Sequence, residues 1–148
     1  MTTTLPRGIR NNNPGNIRPD GTKWLGASGV DTDGGQGAYL EFGSMTYGVR
    51  AMARIFLTYY ERYGLNTLRA VFARWAPVGD GNTPAAYAAA VAAAVGVSPD
   101  TAIAIDAPNV LAEIIRAAIR VENGPPPADL GQWVADDIIN AGVSMALH

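Results

Sequence analysis

A run from Val110 to Glu122 ends on a carboxylate, and Asn123-Gly124-Pro125 breaks the chain directly after it. At about 100° per residue around a helix, Leu111, Ile115 and Ala118 lie within roughly 40° of Glu122, with Ile114 and Ile119 flanking that stripe. Glu113, Arg116 and Arg120 point the other way. The spacing therefore predicts a carboxyl in the middle of an apolar face and in the last helical turn, where the macrodipole disfavours negative charge. Desolvation and dipole both favour the neutral carboxyl. A carboxyl that keeps its proton near neutral pH is what a general acid requires. The plainer alternative is a partly exposed glutamate that fills the helix end and bonds to a nearby loop.

A second unusual stretch is Arg7-Gly-Ile-Arg-Asn-Asn-Asn-Pro-Gly-Asn-Ile-Arg18. Its amides supply many donors and acceptors and readily form Asx-turns. Amide groups at Asn12, Asn13 and Asn16 suit a neutral, hydroxyl-rich ligand such as a glycan, and Trp24 offers an aromatic platform for a sugar ring. Asparagine and glycine clusters are also the ordinary material of turns. Among the other acids, Glu41 stands between Leu40 and Phe42 and points to solvent or into a groove if those neighbours face inward. Asp31 and Asp33 lie in the same polar lobe and are candidates for a second carboxylate. Glu61 with Arg54, and Glu113 with Arg116, read as surface pairs of little energetic weight. At helical spacing the tyrosines and tryptophans read as core, with Tyr87 and Trp75 the candidates for a place beside the groove.

The elements that must position these groups are mostly helices. Residues 7–37 read as loops, with Asp33-Gly34-Gly35 as a turn and Gly37–Phe42 as a short strand. Ser44 caps a long helix to about Tyr63 that Gly64 stops. Leu68–Trp75 follows and ends at Ala76-Pro77. Thr83 and Pro84 supply an N-cap and N1 pair for an alanine-rich helix closed by Gly96. The Glu122 helix starts near Asp106 or Asn109, and a last helix is predicted over 128–140, after Pro125-Pro126-Pro127. The fold class is mainly α: about five helices and a small loop and hairpin lobe. It forms a single domain over 1–148, with 7–43 as the polar lobe and 44–148 as the helical lobe.

With 48% hydrophobic and 16% charged residues, the 148-residue chain can bury a real core. A formal net charge of -2 argues against an electrostatically driven nucleic-acid binder. There is no cysteine, so disulfide and thiolate chemistry are excluded. The single histidine, His148, excludes a multi-histidine zinc site and a Ser-His-Asp triad. No metal or organic cofactor is implied. The most apolar stretch, 85–97, is too short to span a bilayer, so membrane insertion is not expected. The first residues lack the basic start and apolar core of a signal peptide, so work at a cell wall implies delivery by something else.

Taken together, Arg7–Arg18, Trp24-Leu-Gly26, Tyr47-Gly-Val-Arg-Ala51, Trp75-Ala-Pro77 with Thr83 and Tyr87, and Val121-Glu-Asn-Gly124 resemble the small lysozyme-like proteins of bacteriophages. Those are virion structural proteins or peptidoglycan-degrading enzymes. The resemblance spans roughly residues 7–124. In many enzymes of that superfamily, such as lytic transglycosylases and glucosaminidases, the helix ending in the catalytic glutamate comes first. A segment like Asn13-Pro14-Gly15-Asn16-Ile17 follows it in glucosaminidases. Here the order is reversed, which is similar to a circular permutation of the lysozyme core and requires Glu122 to fold back against the N-terminal lobe.

The resemblance implies a peptidoglycan lytic transglycosylase with Glu122 as acid and then base. A hydrolase would need a second carboxylate, for which Glu41 and Asp33 are the candidates. It further implies substrate contacts from Asn12, Asn13, Asn16, Trp24 and Tyr87, phage virion or tail partners, and a place in the virion or host cytoplasm before delivery to the periplasm and cell wall. The alternative is a non-catalytic virion structural or glycan-binding protein.

Overall fold

A computed structural model describes residues 5–35, 37–76 and 83–148. In chain order these form α1 (Arg7–Arg10), β1 (Ala27–Asp31), β2 (Tyr39–Phe42), α2 (Met45–Tyr63), α3 (Leu68–Trp75), α4 (Pro84–Val95), α5 (Pro108–Asn123) and α6 (Asp136–Leu147). The fold is mainly helical, with one small antiparallel hairpin lobe.

Local chemistry sets most of the helix ends. The Ser44 hydroxyl accepts from the Tyr47 N–H, and Gly64 closes α2 in the left-handed region at φ 67°. The Thr67 hydroxyl accepts from the Ala70 N–H at 3.2 Å. Pro84 and Gly96 bound α4 as expected, but the Thr83 side chain makes no capping bond. Pro77, the expected stop for α3, lies outside the described residues, as do residues 1–4 at the start of the chain.

Two expectations are corrected. Residues 7–10 were predicted as loop and form a short helix whose first turn bonds to the Pro6 carbonyl. The last helix runs over Asp136–Leu147 rather than 128–140. Gly131 sits at φ 78°, and the Trp133 indole N–H donates to the Gly124 carbonyl at 2.7 Å. These hold the segment after the prolines against α5 and delay the helix to Asp136. Asp136 and Asp137 then occupy its first turn, where the dipole favours acids.

The helices share one core. Phe56, Leu57 and Met52 of α2 meet Phe72 and Leu68 of α3, Val91 of α4, Leu111, Ile114 and Ile115 of α5 and Ile139 of α6, all fully buried. α2 and α6 approach closely because Gly142 carries no side chain: a Cβ there would meet Val49 Cγ1 at 2.6 Å. The hairpin pairs Val30 with Leu40 and Asp31 with Tyr39, with an irregularity between Ala27 and Gly29.

Beside the hairpin, the asparagine-rich loop docks on β2. The Leu40 N–H donates to the Ile17 carbonyl and the Phe42 N–H to the Asn11 carbonyl, each at 2.9 Å. The anticipated surface pairs differ too. Arg54 donates to the Ala146 carbonyl, and the ion pair of Arg116 is with Asp136.

Candidate active site

Glu122 arrives at its position because the apolar stripe predicted for α5 is real. Leu111, Ile115 and Ala118 are buried, Glu113 and Arg120 are exposed, and the carboxylate of the last turn is half-buried at the lobe boundary. It meets donors from three other segments. Tyr87 of α4 donates its hydroxyl to Glu122 Oε2 at 2.9 Å. The Trp75 indole N–H, from the end of α3, points at the same oxygen at 3.2 Å and at the Tyr87 hydroxyl at 3.1 Å. Asn16 donates its side-chain amide to Oε1 at 3.2 Å.

Glu122 has therefore folded back against the N-terminal lobe. Asn123 reinforces that junction by donating to the Pro14 carbonyl at 2.9 Å.

The donors are rigid for different reasons. The Phe72 and Tyr87 rings stack with centroids 4.5 Å apart, and the Phe56 ring lies 4.7 Å from that of Trp75. Such pairs add about 0.5–1.5 kcal/mol each beyond burial. Asn16 takes a left-handed backbone, φ 51°, which asparagine tolerates better than most residues. Gly8 lies under the junction, where a Cβ would meet Asn123 Oδ1 at 2.6 Å and Asn16 Oδ1 at 2.9 Å. Burial, and then the neighbouring Glu122 charge and hydrogen bond, push the Tyr87 phenol well above its ordinary pKa, so it stays a neutral donor.

Glu122 lines a cleft of about 450 Å³ between the lobes, with Gly15 to Arg18 and Tyr39 on one wall and Ile55, Tyr59, Arg74 and Trp75 on the other. A second hollow, of about 280 Å³, runs along the face of α5 bearing Glu113 and Arg116, beneath Trp133. It gathers none of the candidate catalytic or substrate-binding residues.

The other candidates fall in varied places. Tyr87 and Asn16 touch Glu122 directly. Asn13 is fully buried, donating to the Ile17 and Leu40 carbonyls and accepting from the Ile17 N–H, all at 2.9 Å. Asn12 donates to the Phe42 carbonyl. Trp24 is half-buried against the core, outside the residues that line the cleft. Glu41 is half-buried on the hairpin beside Gly29, and Asp33 is exposed in the turn; neither lines the cleft. Asp31 is buried, accepting from Asn11 at 3.0 Å and pairing with Arg7 at 3.3 Å.

Arg18 and Arg74 also line the cleft; Arg18 stood out in the sequence only as part of the Arg7–Arg18 stretch and Arg74 not at all, because their tyrosine partners come from other segments. Among the described residues, no cluster of three or more acids, histidines or cysteines could hold a metal. Nor is any helix of theirs long and apolar enough to cross a membrane.

Fold and site together define a mainly helical domain with a hairpin lobe and an aromatic, glutamate-floored cleft between them. No family model matches the chain. Protein P5 of Pseudoalteromonas phage PM2 is 36% identical over 124 residues, 82% of this chain and 73% of that protein. The chain belongs to the family of that phage protein.

Proposed function

We propose that this is a phage-associated protein that lays a peptidoglycan glycan strand across the cleft over Glu122. In this reading residues 1–148 are one lysozyme-like domain in permuted order, with 7–43 and 44–148 as its lobes. The observation that carries it is the Glu122 carboxylate, held at both oxygens on the floor of an open cleft with aromatic side chains. A protein that only binds a glycan has the same need for the cleft, whereas a virion structural protein has none; the phage relative supports the phage association that both readings share. Cleavage is the further step. Glu122 protonates the bridging oxygen of the β-1,4 linkage between N-acetylmuramic acid and N-acetylglucosamine.

Neither Glu41 nor Asp33 lines the cleft, which favours intramolecular attack by the muramoyl C6 hydroxyl over attack by an activated water. Glu122 would then take the proton from that hydroxyl, and a 1,6-anhydro sugar is the product. The protein is carried by the virion, or reaches the periplasm and cell wall by delivery from the host cytoplasm, with virion or tail proteins as partners.

The test is to incubate the protein and Glu122→Gln with purified peptidoglycan, measuring co-sedimentation and soluble products by mass spectrometry. Anhydromuropeptides from the unmutated protein, reduced about 10²–10⁴-fold in the variant, are expected of a general acid. Reducing-end products would indicate a hydrolase. Co-sedimentation of both proteins without release would leave a glycan binder. If both stayed folded and neither bound nor released anything, the glycan reading would fall and a structural role would remain.

A further inference from the structure

Three charged side chains of α5 line the hollow of about 280 Å³ beneath Trp133: Glu113, Arg116 and Arg120. The middle one is already engaged. Arg116 donates through Nε to Asp136 Oδ1 at 3.0 Å, and its Nη2 lies 2.9 Å from the same oxygen. Gln132 donates to that oxygen as well, at 3.2 Å. Arg116 is thereby turned to α6 and leaves Glu113 without the partner that its spacing offers. Among the described residues neither the Glu113 carboxylate nor the Arg120 guanidinium has a hydrogen bond or an ion pair, and both residues are exposed. Seven positions separate them, about 10 Å along a helix axis and within roughly 20° of two full turns. Along α5 the hollow therefore runs from an unmatched anion to an unmatched cation, with a neutralised pair between them.

The rest of its lining is largely apolar. Ile119 and Ile139 are buried beneath it, and the Trp133 ring is held in place by the indole bond to the Gly124 carbonyl. Apolar and aromatic walls with a few placed polar groups are what small-ligand sites commonly share. We propose that this hollow binds a short zwitterionic peptide, with its ammonium at Glu113, its carboxylate at Arg120 and a central apolar side chain against Trp133. Three extended residues span about 10 Å, which matches the separation of the two charges. Each free terminus gains a charge-assisted hydrogen bond. Glu113 lies nine residues before Glu122, about 180° around the helix, so this site faces away from the cleft and stands independently of the glycan reading.

The test titrates the isotope-labelled full chain with the tripeptide Ala-Leu-Ala and follows it by NMR. The Trp133 indole N–H and the amides of residues 113–120 should shift and saturate at millimolar peptide. Acetylating the peptide's amine or amidating its carboxyl should each weaken binding about tenfold, the loss of one charge-assisted hydrogen bond. Glu113→Gln should abolish the penalty for the acetylated form alone, and Arg120→Gln the penalty for the amidated form alone. Both side chains are exposed, so neither variant disturbs the core. Glu122→Gln should leave peptide binding unchanged.

Equal affinity for the free and the doubly blocked peptide would overturn the proposal and reduce the hollow to an apolar recess. Shifts confined to residues 15–18 and Trp75 would overturn it by placing the peptide in the cleft. The absence of any shift at millimolar peptide would overturn it outright. A longer peptide that carried Ala-Leu-Ala internally and bound more tightly would overturn it in favour of a segment of a partner protein.

Discussion

On one side of Glu122, Trp75 of the cleft wall and the buried Tyr87 behind it are fixed by rings packed on rings, continuous with the helical core through Phe56 and Phe72. On the other, Asn16 belongs to a loop fixed by polar bonds. Asn13 ties it to Ile17 and Leu40, and Asn11, Asp31 and Arg7 tie the loop to the hairpin. The hairpin lobe adds few core side chains of its own, chiefly Ile17, Leu40 and Phe42. Packing resists acid and yields to cavities, whereas a polar scaffold yields to lost partners and to proton uptake. Glu122 takes donors from both walls, so either kind of damage reaches it by a different route.

The largest effect is expected from the packed wall. Phe72→Ala should destabilise the protein by about 3–5 kcal/mol and lower the urea midpoint of the whole domain in one transition. The stack under Tyr87 would go with it. Asn13→Ala should follow at about 2–4 kcal/mol, since it strands the Ile17 N–H and strips one donor each from the Ile17 and Leu40 carbonyls, at roughly 1–3 kcal/mol for each buried group left unsatisfied. Its signature is local: amide exchange should accelerate in residues 11–18 and 39–42 ahead of α2 and α5. If exchange rose uniformly instead, the two walls would not be separate in their stability.

Acid provides the smallest and most selective perturbation. The Asn11 amide, then the Asp33 N–H and the Arg7 charge, hold the Asp31 carboxyl below its ordinary pKa. A lowered folded-state value means that the stabilisation is full above the unfolded pKa and is lost as pH falls through the folded one. The hairpin lobe should therefore loosen first below about pH 4, visible by NMR in the Asn11 and Asp33 amides. Asp31→Asn should flatten that pH dependence.

Where structure is set by neighbours in sequence, it was legible beforehand. Ser44, Gly64, Pro84 and Gly96 bound their helices as read, since capping and left-handed turns are local chemistry. The apolar stripe around Glu122 was legible for the same reason. The start of α6 was not, because it depends on Trp133 reaching the Gly124 carbonyl. In the site, Asn16 and Tyr87 were chosen by residue type and do meet Glu122. Residue type alone did not distinguish Asn16 from Asn13, whose amide is buried in backbone bonds. That difference arises only when β2 packs beside the loop.

The Tyr87 hydroxyl has two acceptors in reach, Glu122 Oε2 at 2.9 Å and the Ala118 carbonyl at 3.3 Å, and it receives the Trp75 N–H. With the carboxylate ionised, the hydroxyl hydrogen points to Glu122. With a proton on Oε2, that proton can point at Tyr87, whose own hydrogen turns to Ala118. Each state leaves the hydroxyl fully bonded. The Tyr87 hydroxyl can thus meet either form of the Glu122 carboxyl through the rotation of its one hydrogen.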